Sequence, residues 1–129
     1  MFAALCDDDK YITEEIKKLL LEYAKDNRIT IDIDEFESGE ELLNSEKNYD
    51  IIVLDYQLGS TNGLTVAKEL RKRNVLSSII FLTSYPNFMI DAFEVNTFRF
   101  LLKPIDKSKF FKAIDDYIKI VDANYPITI

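Results

Sequence analysis

The chain has 129 residues, 47% of them hydrophobic and 30% charged, with a net charge of -7 and no histidine. That composition fits one globular domain with a sizeable core and excludes a disordered chain. The acidic balance argues against direct nucleic-acid binding, which needs clustered Lys and Arg, and the missing histidine removes His-based triads, His metal sites and any histidine phosphodonor.

No apolar stretch approaches a membrane span, and the apolar opening of residues 1–6 runs straight into Asp7, Asp8 and Asp9, so neither a membrane segment nor a signal peptide is expected and the location is expected to be cytoplasmic. The single Cys6 can form no internal disulfide and reads as a buried, inert thiol.

Taken in order, residues 2–6 read as a strand. Residues 13–25 read as a helix with Ile12, Ile16, Leu19, Leu20 and Tyr23 on one face. Residues 30–36 alternate Ile31 and Ile33 with Asp32 and Asp34, the pattern of a sheet edge, and a short helix follows over 39–45. Residues 51–54 form a continuous apolar run suited to a strand buried on both faces. The pattern then predicts a helix over 64–72, a strand over 78–82, and a helix opened by Pro86 and running to Glu94. A fifth strand over 98–102 and a fifth helix over 107–121 complete the series. Five βα units in succession predict an α/β fold with a five-stranded, doubly wound parallel sheet. Residues 1–121 make up the domain, and residues 122–129 read as a linker stub, because Pro126 cannot continue the helix.

In a parallel sheet all strand carboxyl ends share one edge, where open α/β folds bind ligands. This arrangement gathers Asp7, Asp8 and Asp9 after the first strand, Asp55 after the third, Thr83 and Ser84 after the fourth, and Lys103 and Pro104 after the fifth. Each is also explained by ordinary capping or turn chemistry, as Asp and Thr often serve. Together they have a chemical logic. Asp7, Asp8 and Asp55 would repel one another without a cation, and Mg²⁺ suits them, with the backbone carbonyl of Gln57 as a further candidate ligand. Lys103 adds a point charge and Thr83 a hydroxyl. A carboxylate nucleophile, a cation, a lysine and a hydroxyl are the parts phosphoryl transfer needs, with Asp55 forming an aspartyl phosphate.

The four motifs Cys6-Asp7-Asp8-Asp9, Val53-Leu54-Asp55 with Gly63 eight residues on, Phe81-Leu82-Thr83-Ser84 and Phe100-Leu101-Leu102-Lys103-Pro104 resemble those of the receiver domain of bacterial two-component response regulators. The resemblance spans residues 1–121. It implies a flavodoxin-like (βα)5 sheet of strand order 2-1-3-4-5, with Asp55 as phosphoacceptor. It also implies Asp8 as a direct Mg²⁺ ligand, Asp7 as a ligand chiefly through water, and the Gln57 carbonyl as a further ligand. Thr83 and Lys103 would contact the phosphoryl group, and the Lys103-Pro104 peptide would be cis. A partner sensor histidine kinase is implied as the phosphoryl source. The chain would be a signalling acceptor that assists its own phosphorylation and dephosphorylation, not an enzyme that turns over a substrate.

The segment from Asp55 to Leu64 and the run from Asp91 to Pro104 are similar to receivers that precede a LytTR-type DNA-binding domain. The resemblance thus implies transcriptional control through an output domain that this sequence lacks, with DNA contacted only by that domain. Leu58-Gly59 stands where other receivers commonly have Met-Pro, and Ser84 where Ala or Gly often follows the Thr. Phe100 occupies the family's switch-aromatic position, so a phosphorylation-linked homodimer through the 86–94 helix, the fifth strand and the last helix is expected; a plain core phenylalanine is the competing reading. A haloacid dehalogenase-type phosphohydrolase would need a second Asp where Gln57 stands. A flavin binder would need a phosphate-cradling loop where three aspartates sit. A receiver-like interaction module working without phosphate is the remaining alternative.

Overall fold

The structure, a computed structural model, describes residues 1–124, and side chains through Val121. In chain order the elements are β1 (Phe2–Cys6), α1 (Lys10–Asp26), β2 (Asp32–Phe36), α2 (Gly39–Asn44), β3 (Ile51–Asp55), β4 (Gln57–Leu58), β5 (Thr61–Asn62), α3 (Gly63–Lys72) and β6 (Ser78–Thr83). A broken helical segment then contains α4 (Met89–Ala92), followed by β7 (Arg99–Leu102) and α5 (Lys107–Asn124). The main sheet is parallel and runs β2-β1-β3-β6-β7, which is the expected 2-1-3-4-5 order once the small β4-β5 ribbon is set aside.

Alternation along each strand divides the core into two layers, one on each face of the sheet. Ala3, Leu5, Ile51, Val53, Ile80 and Leu82 pack on Ile16 and Leu20 of α1 and on Phe110 and Ile114 of α5. Ala4, Cys6, Ile52, Leu54, Ile79 and Phe81 face Leu42 of α2, Val66 and Leu70 of α3, and Ala92 and Val95. Phe81 and Phe110 are fully buried, one in each layer, and truncating either to alanine costs about 3–5 kcal/mol. Strand β3 is buried along its whole length, which is why its sequence reads as an unbroken apolar run. Strand β2 is the half-exposed edge, flanked by the exposed ion pairs Lys17–Glu35 and Lys10–Glu37, which add little stability but keep the edge charged against strand addition.

Several boundaries differ from the sequence expectation. Helix α1 starts at Lys10, three residues early, because Asp9 caps it by accepting the Tyr11 N–H at 2.9 Å. Tyr11 in that first turn is 84% exposed, so apolar periodicity does not register it. Strand β2 begins at Asp32, two residues late, and β3 extends through Asp55, which pairs with Leu82. The loop after Asp55 is in part an antiparallel ribbon, β4 with β5, closed by Gly59 at φ 63 and Ser60.

The expected 86–94 helix is broken instead into a 3-10 turn (Pro86–Phe88), the single α turn α4, and a second 3-10 turn (Phe93–Val95). Pro86 opens it as expected, and Asn96 in the left-handed region ends it. Only Ala92 and Val95 are buried there while Ile90 and Phe93 are each 78% exposed, so no continuous apolar stripe holds a regular helix. The far end of the segment is fastened by Arg71 of α3. Its guanidinium donates to the carbonyls of Val95 (2.8 Å), Asn96 (3.2 Å), Val75 (2.7 Å) and Ser77 (3.0 Å). Helix α5 continues to Asn124, past the expected end at Val121; the rest of the expected linker stub, residues 125–129, lies outside the described residues. Among the described residues no helix is long and apolar enough to cross a membrane.

Candidate functional site

At the carboxyl edge of the sheet β1, β3 and β7 bring Asp7, Asp8, Asp55 and Lys103 to one open cleft of about 610 Å³. Asp7 and Asp55 are buried to 3% and 6% exposure, whereas Asp8 is exposed. One carboxylate oxygen from each of the three lies within 4.8 Å of the others. The Lys103 ammonium stands 3.2 Å from Asp7 Oδ2 and 3.2 Å from Asp55 Oδ1. The other Asp7 oxygen accepts the Asp9 N–H at 2.8 Å, and Asp55 Oδ1 accepts the Gln57 N–H at 3.3 Å. The third aspartate of the run is thus a cap and a brace, not a member of the cluster.

The electrostatics follow from this crowding. Burial, then the negative charge of Asp7, pushes the Asp55 carboxyl from 3.8 up to about 6, against the opposing pull of Lys103 and the Gln57 N–H. Burial likewise raises Asp7, with the Asp9 N–H and Lys103 working in the other direction. Burial alone would weaken the Lys103 charge, but Asp55 and Asp7 outweigh it and hold the ammonium above its usual range. The two buried carboxylates share the Lys103 ammonium, and with the exposed Asp8 beside them they form a donor set of hard oxygens suited to a divalent ion that keeps several waters. Asp7, Asp8 and Asp55 are the side chains that would hold it.

Thr83 is buried at the end of β6, paired with Leu102, and its hydroxyl accepts the Tyr85 N–H at 3.2 Å. It is not among the residues that line the cleft. Its carbonyl accepts the Lys103 N–H at 2.7 Å, which fixes the backbone from which the lysine reaches the carboxylates. The Lys103-Pro104 peptide is cis. Phe100 is half-buried on β7, opposite Phe81, and packs against the core layer shared with α3 and Val95, away from the cleft. Gln57 lines the cleft, as does Gly59.

Two wall residues escape the sequence reading: Tyr56 and Phe88, whose rings stack at 4.1 Å and 8°. Nothing in periodicity links residues 32 positions apart, although an aromatic directly after Asp55 is visible in the sequence. Gly63, eight residues after Asp55, donates its N–H to the Tyr56 carbonyl at 2.6 Å. An added Cβ there would strike the Asp55 carbonyl and stand 3.1 Å from both Tyr56 Cα and the Phe81 ring, so this glycine is required by close approach.

Residues 3–115 match the response regulator receiver domain family, and the chain belongs to it. Among curated relatives, the sensory transduction protein LytT of Bacillus cereus is 34% identical over 120 residues, covering 92% of this chain and 48% of that protein. The sensory transduction protein LytR of Staphylococcus epidermidis is 32% identical over 117 residues, covering 89% and 45%. The chain therefore spans about half the length of the curated relatives it matches. Among solved structures, the Thermotoga maritima response regulator TrrA, crystallised in complex with Mg(2+)-BeF, is 28% identical with a TM-score of 0.77 over 90% of this chain and 97% of that one. The response regulatory domain of mrkE from Klebsiella pneumoniae has a TM-score of 0.84 over 96% of this chain and 100% of that one; at 20% identity it shows the fold alone. This chain is a receiver domain of a two-component response regulator, a signalling module.

Proposed function

We propose that the domain accepts a phosphoryl group on Asp55, with Mg²⁺ held by Asp7, Asp8, Asp55 and the Gln57 carbonyl, and relays that event to a surface. The observation that carries this reading is the cluster itself: three carboxylates within mutual reach of one ion, with Lys103 3.2 Å from two of them. Bound Mg²⁺ would supply charge neutralisation for the incoming phosphoryl oxygens. An Asp55 oxygen forms the new bond to phosphorus while the bond from phosphorus to the donor's histidine nitrogen breaks, and Lys103 stands where it can pair with the transferred oxygens. The histidine belongs to a partner kinase, since this chain has none. That the similar response regulator TrrA was crystallised in complex with Mg(2+)-BeF supports a Mg²⁺-dependent reading by similarity.

Downstream, the Thr83 hydroxyl would turn from the Tyr85 N–H toward the phosphoryl group, and the half-buried Phe100 would repack behind it, shifting a pre-existing equilibrium. The readout surface is the 86–95 segment with β7 and α5, where Ile90, Phe93 and Leu102 are exposed, and its proposed use is a phosphorylation-linked homodimer. The LytT and LytR relatives, sensory transduction proteins about twice as long, support a further domain attached to the receiver, and its proposed output is control of transcription.

The decisive experiment is intact mass after incubation with acetyl phosphate, with and without Mg²⁺, beside Asp55→Asn and Phe100→Ala. A Mg²⁺-dependent gain of one phosphoryl group is expected in the wild type and in Phe100→Ala and none in Asp55→Asn; size-exclusion chromatography should then show the phosphorylation-linked dimer in the wild type, a weakened one in Phe100→Ala although it is phosphorylated, and none in Asp55→Asn because it is not. A wild type that gains nothing and binds no beryllofluoride would instead identify an interaction module working without phosphate.

A further inference from the structure

Tyr56 is tied down from every side. Its N–H donates to the Leu82 carbonyl at 2.9 Å and its carbonyl accepts from Gly63, so the backbone cannot drift. Its ring is 5% exposed, lies tilted on Phe81 at 5.8 Å, and stacks face to face on Phe88. Its hydroxyl donates to Asp91 Oδ2 at 3.3 Å, the one hydrogen bond to that carboxylate among the described residues. Phe88 in turn meets Tyr85 edge-on at 5.9 Å. A residue adjoining Asp55 therefore holds two successive turns of the 86–95 segment.

That segment is fastened unevenly. Its far end has Val95 and Ala92 buried and the Val95 and Asn96 carbonyls gripped by Arg71. Its near end has no buried residue: Pro86 and Met89 are exposed and Phe88 is half-buried. The exposed Lys68–Glu94 pair at 3.3 Å adds little. The near half thus depends on the stack and on the one hydroxyl, and the residues bounding it are an extended Tyr85 and a left-handed Asn96 that can absorb a change of direction.

We propose that Tyr56 is a latch: its ring on Phe88 and its hydroxyl on Asp91 hold the 86–95 segment in its resting position, and the segment pivots on the Arg71 anchor when the site is filled. Tyr56 and Phe88 line the cleft that holds Asp55, which places the latch against whatever occupies it. The latch taxes occupancy. By linkage, weakening the latch must tighten binding at the site by the factor it withheld. This inference rests on the reading of the cleft as a phosphoryl site, and it concerns a positioning residue, not a catalytic one.

The test uses Mg²⁺ with beryllofluoride as the probe and compares wild type, Tyr56→Phe, Asp91→Ala and the double variant. Tyr56→Phe keeps the stack and the fold and removes only the hydroxyl. Expected are tighter beryllofluoride binding by about fivefold, the factor one modest hydrogen bond represents, and no further gain when Asp91→Ala is added. Amide exchange in residues 87–91 of the ligand-free protein should rise in both single variants and stay unchanged at 95–97. A wild type that binds the probe while the variants bind it equally, or variants whose effects simply add, would overturn the latch. A wild type that binds no beryllofluoride would overturn the phosphoryl-site reading and the latch with it.

Discussion

Lys103 and Asp55 meet at 3.2 Å across the carboxyl ends of β7 and β3, and the same ammonium is shared at equal distance with Asp7. A side-chain cation therefore sits where a divalent ion would draw on the same two carboxylates. Lys103→Met should tighten Mg²⁺ binding several-fold, because the competing charge is gone, while phosphoryl acceptance from acetyl phosphate falls by at least about tenfold. Titration calorimetry with Mg²⁺ and intact mass separate the two effects. Weaker Mg²⁺ binding in the variant would show that the lysine organises the carboxylates and does not compete for them.

The raised Asp55 carboxyl makes a prediction about acid. Its value in the fold, about 6, lies above the ordinary 3.8, so the folded protein holds this proton more tightly than the unfolded chain does. Its contribution to stability is complete below the ordinary value and is lost as pH rises through about 6. In the absence of divalent ions Asp55→Asn should be more stable than wild type by on the order of 2 kcal/mol at about pH 7.5, and the difference should close near about pH 4. Urea denaturation with a chelator present measures it. A difference independent of pH would assign the gain to something other than the buried charge.

Gly63→Ala places a methyl group against the Asp55 carbonyl, the Tyr56 Cα and the Phe81 ring. None of these is the free end of a flexible side chain, so the cost should be about 2–4 kcal/mol, and the displaced Asp55 should take up less phosphoryl group. Thermal melting and intact mass together check this, and an alanine variant as stable and as reactive as wild type would show that the end of β3 gives way freely.

Most of this arrangement is legible in the residues because it depends on period and order. Five apolar runs alternating with helical stripes define the parallel sheet, and a parallel sheet places Asp7, Asp8, Asp55 and Lys103 at one edge without further information. What escapes depends on contacts that period does not encode. Residues 86–95 carry Pro86 and apolar side chains, yet Ile90 and Phe93 point to solvent and the helix breaks. The start of α1 hides behind an exposed Tyr11, although Asp9 marked it as a cap. The β4-β5 ribbon was signalled by Gly59-Ser60 between Leu58 and Thr61, a two-residue turn in a stretch too short for alternation to reveal. The Tyr56–Phe88 stack joins two loops, and only the folded backbone brings them together.

The Arg71 guanidinium ends on four backbone carbonyls and, among the described residues, on no side chain. Backbone oxygens are present whatever residues occupy those positions, so the fork recognises a path of the chain and is indifferent to its sequence. At the far end of the 86–95 segment the seating therefore depends on the path of the chain through Val95 and Asn96, and the exposed positions just before them, Ile90 and Phe93, can vary without disturbing it. Lysine, a point charge with three donors in place of a planar array of five, could not clamp the same four oxygens. Variation in the exposed face of this segment is in this way uncoupled from the register of β7, and the domain can change what it presents there without changing where the strand begins.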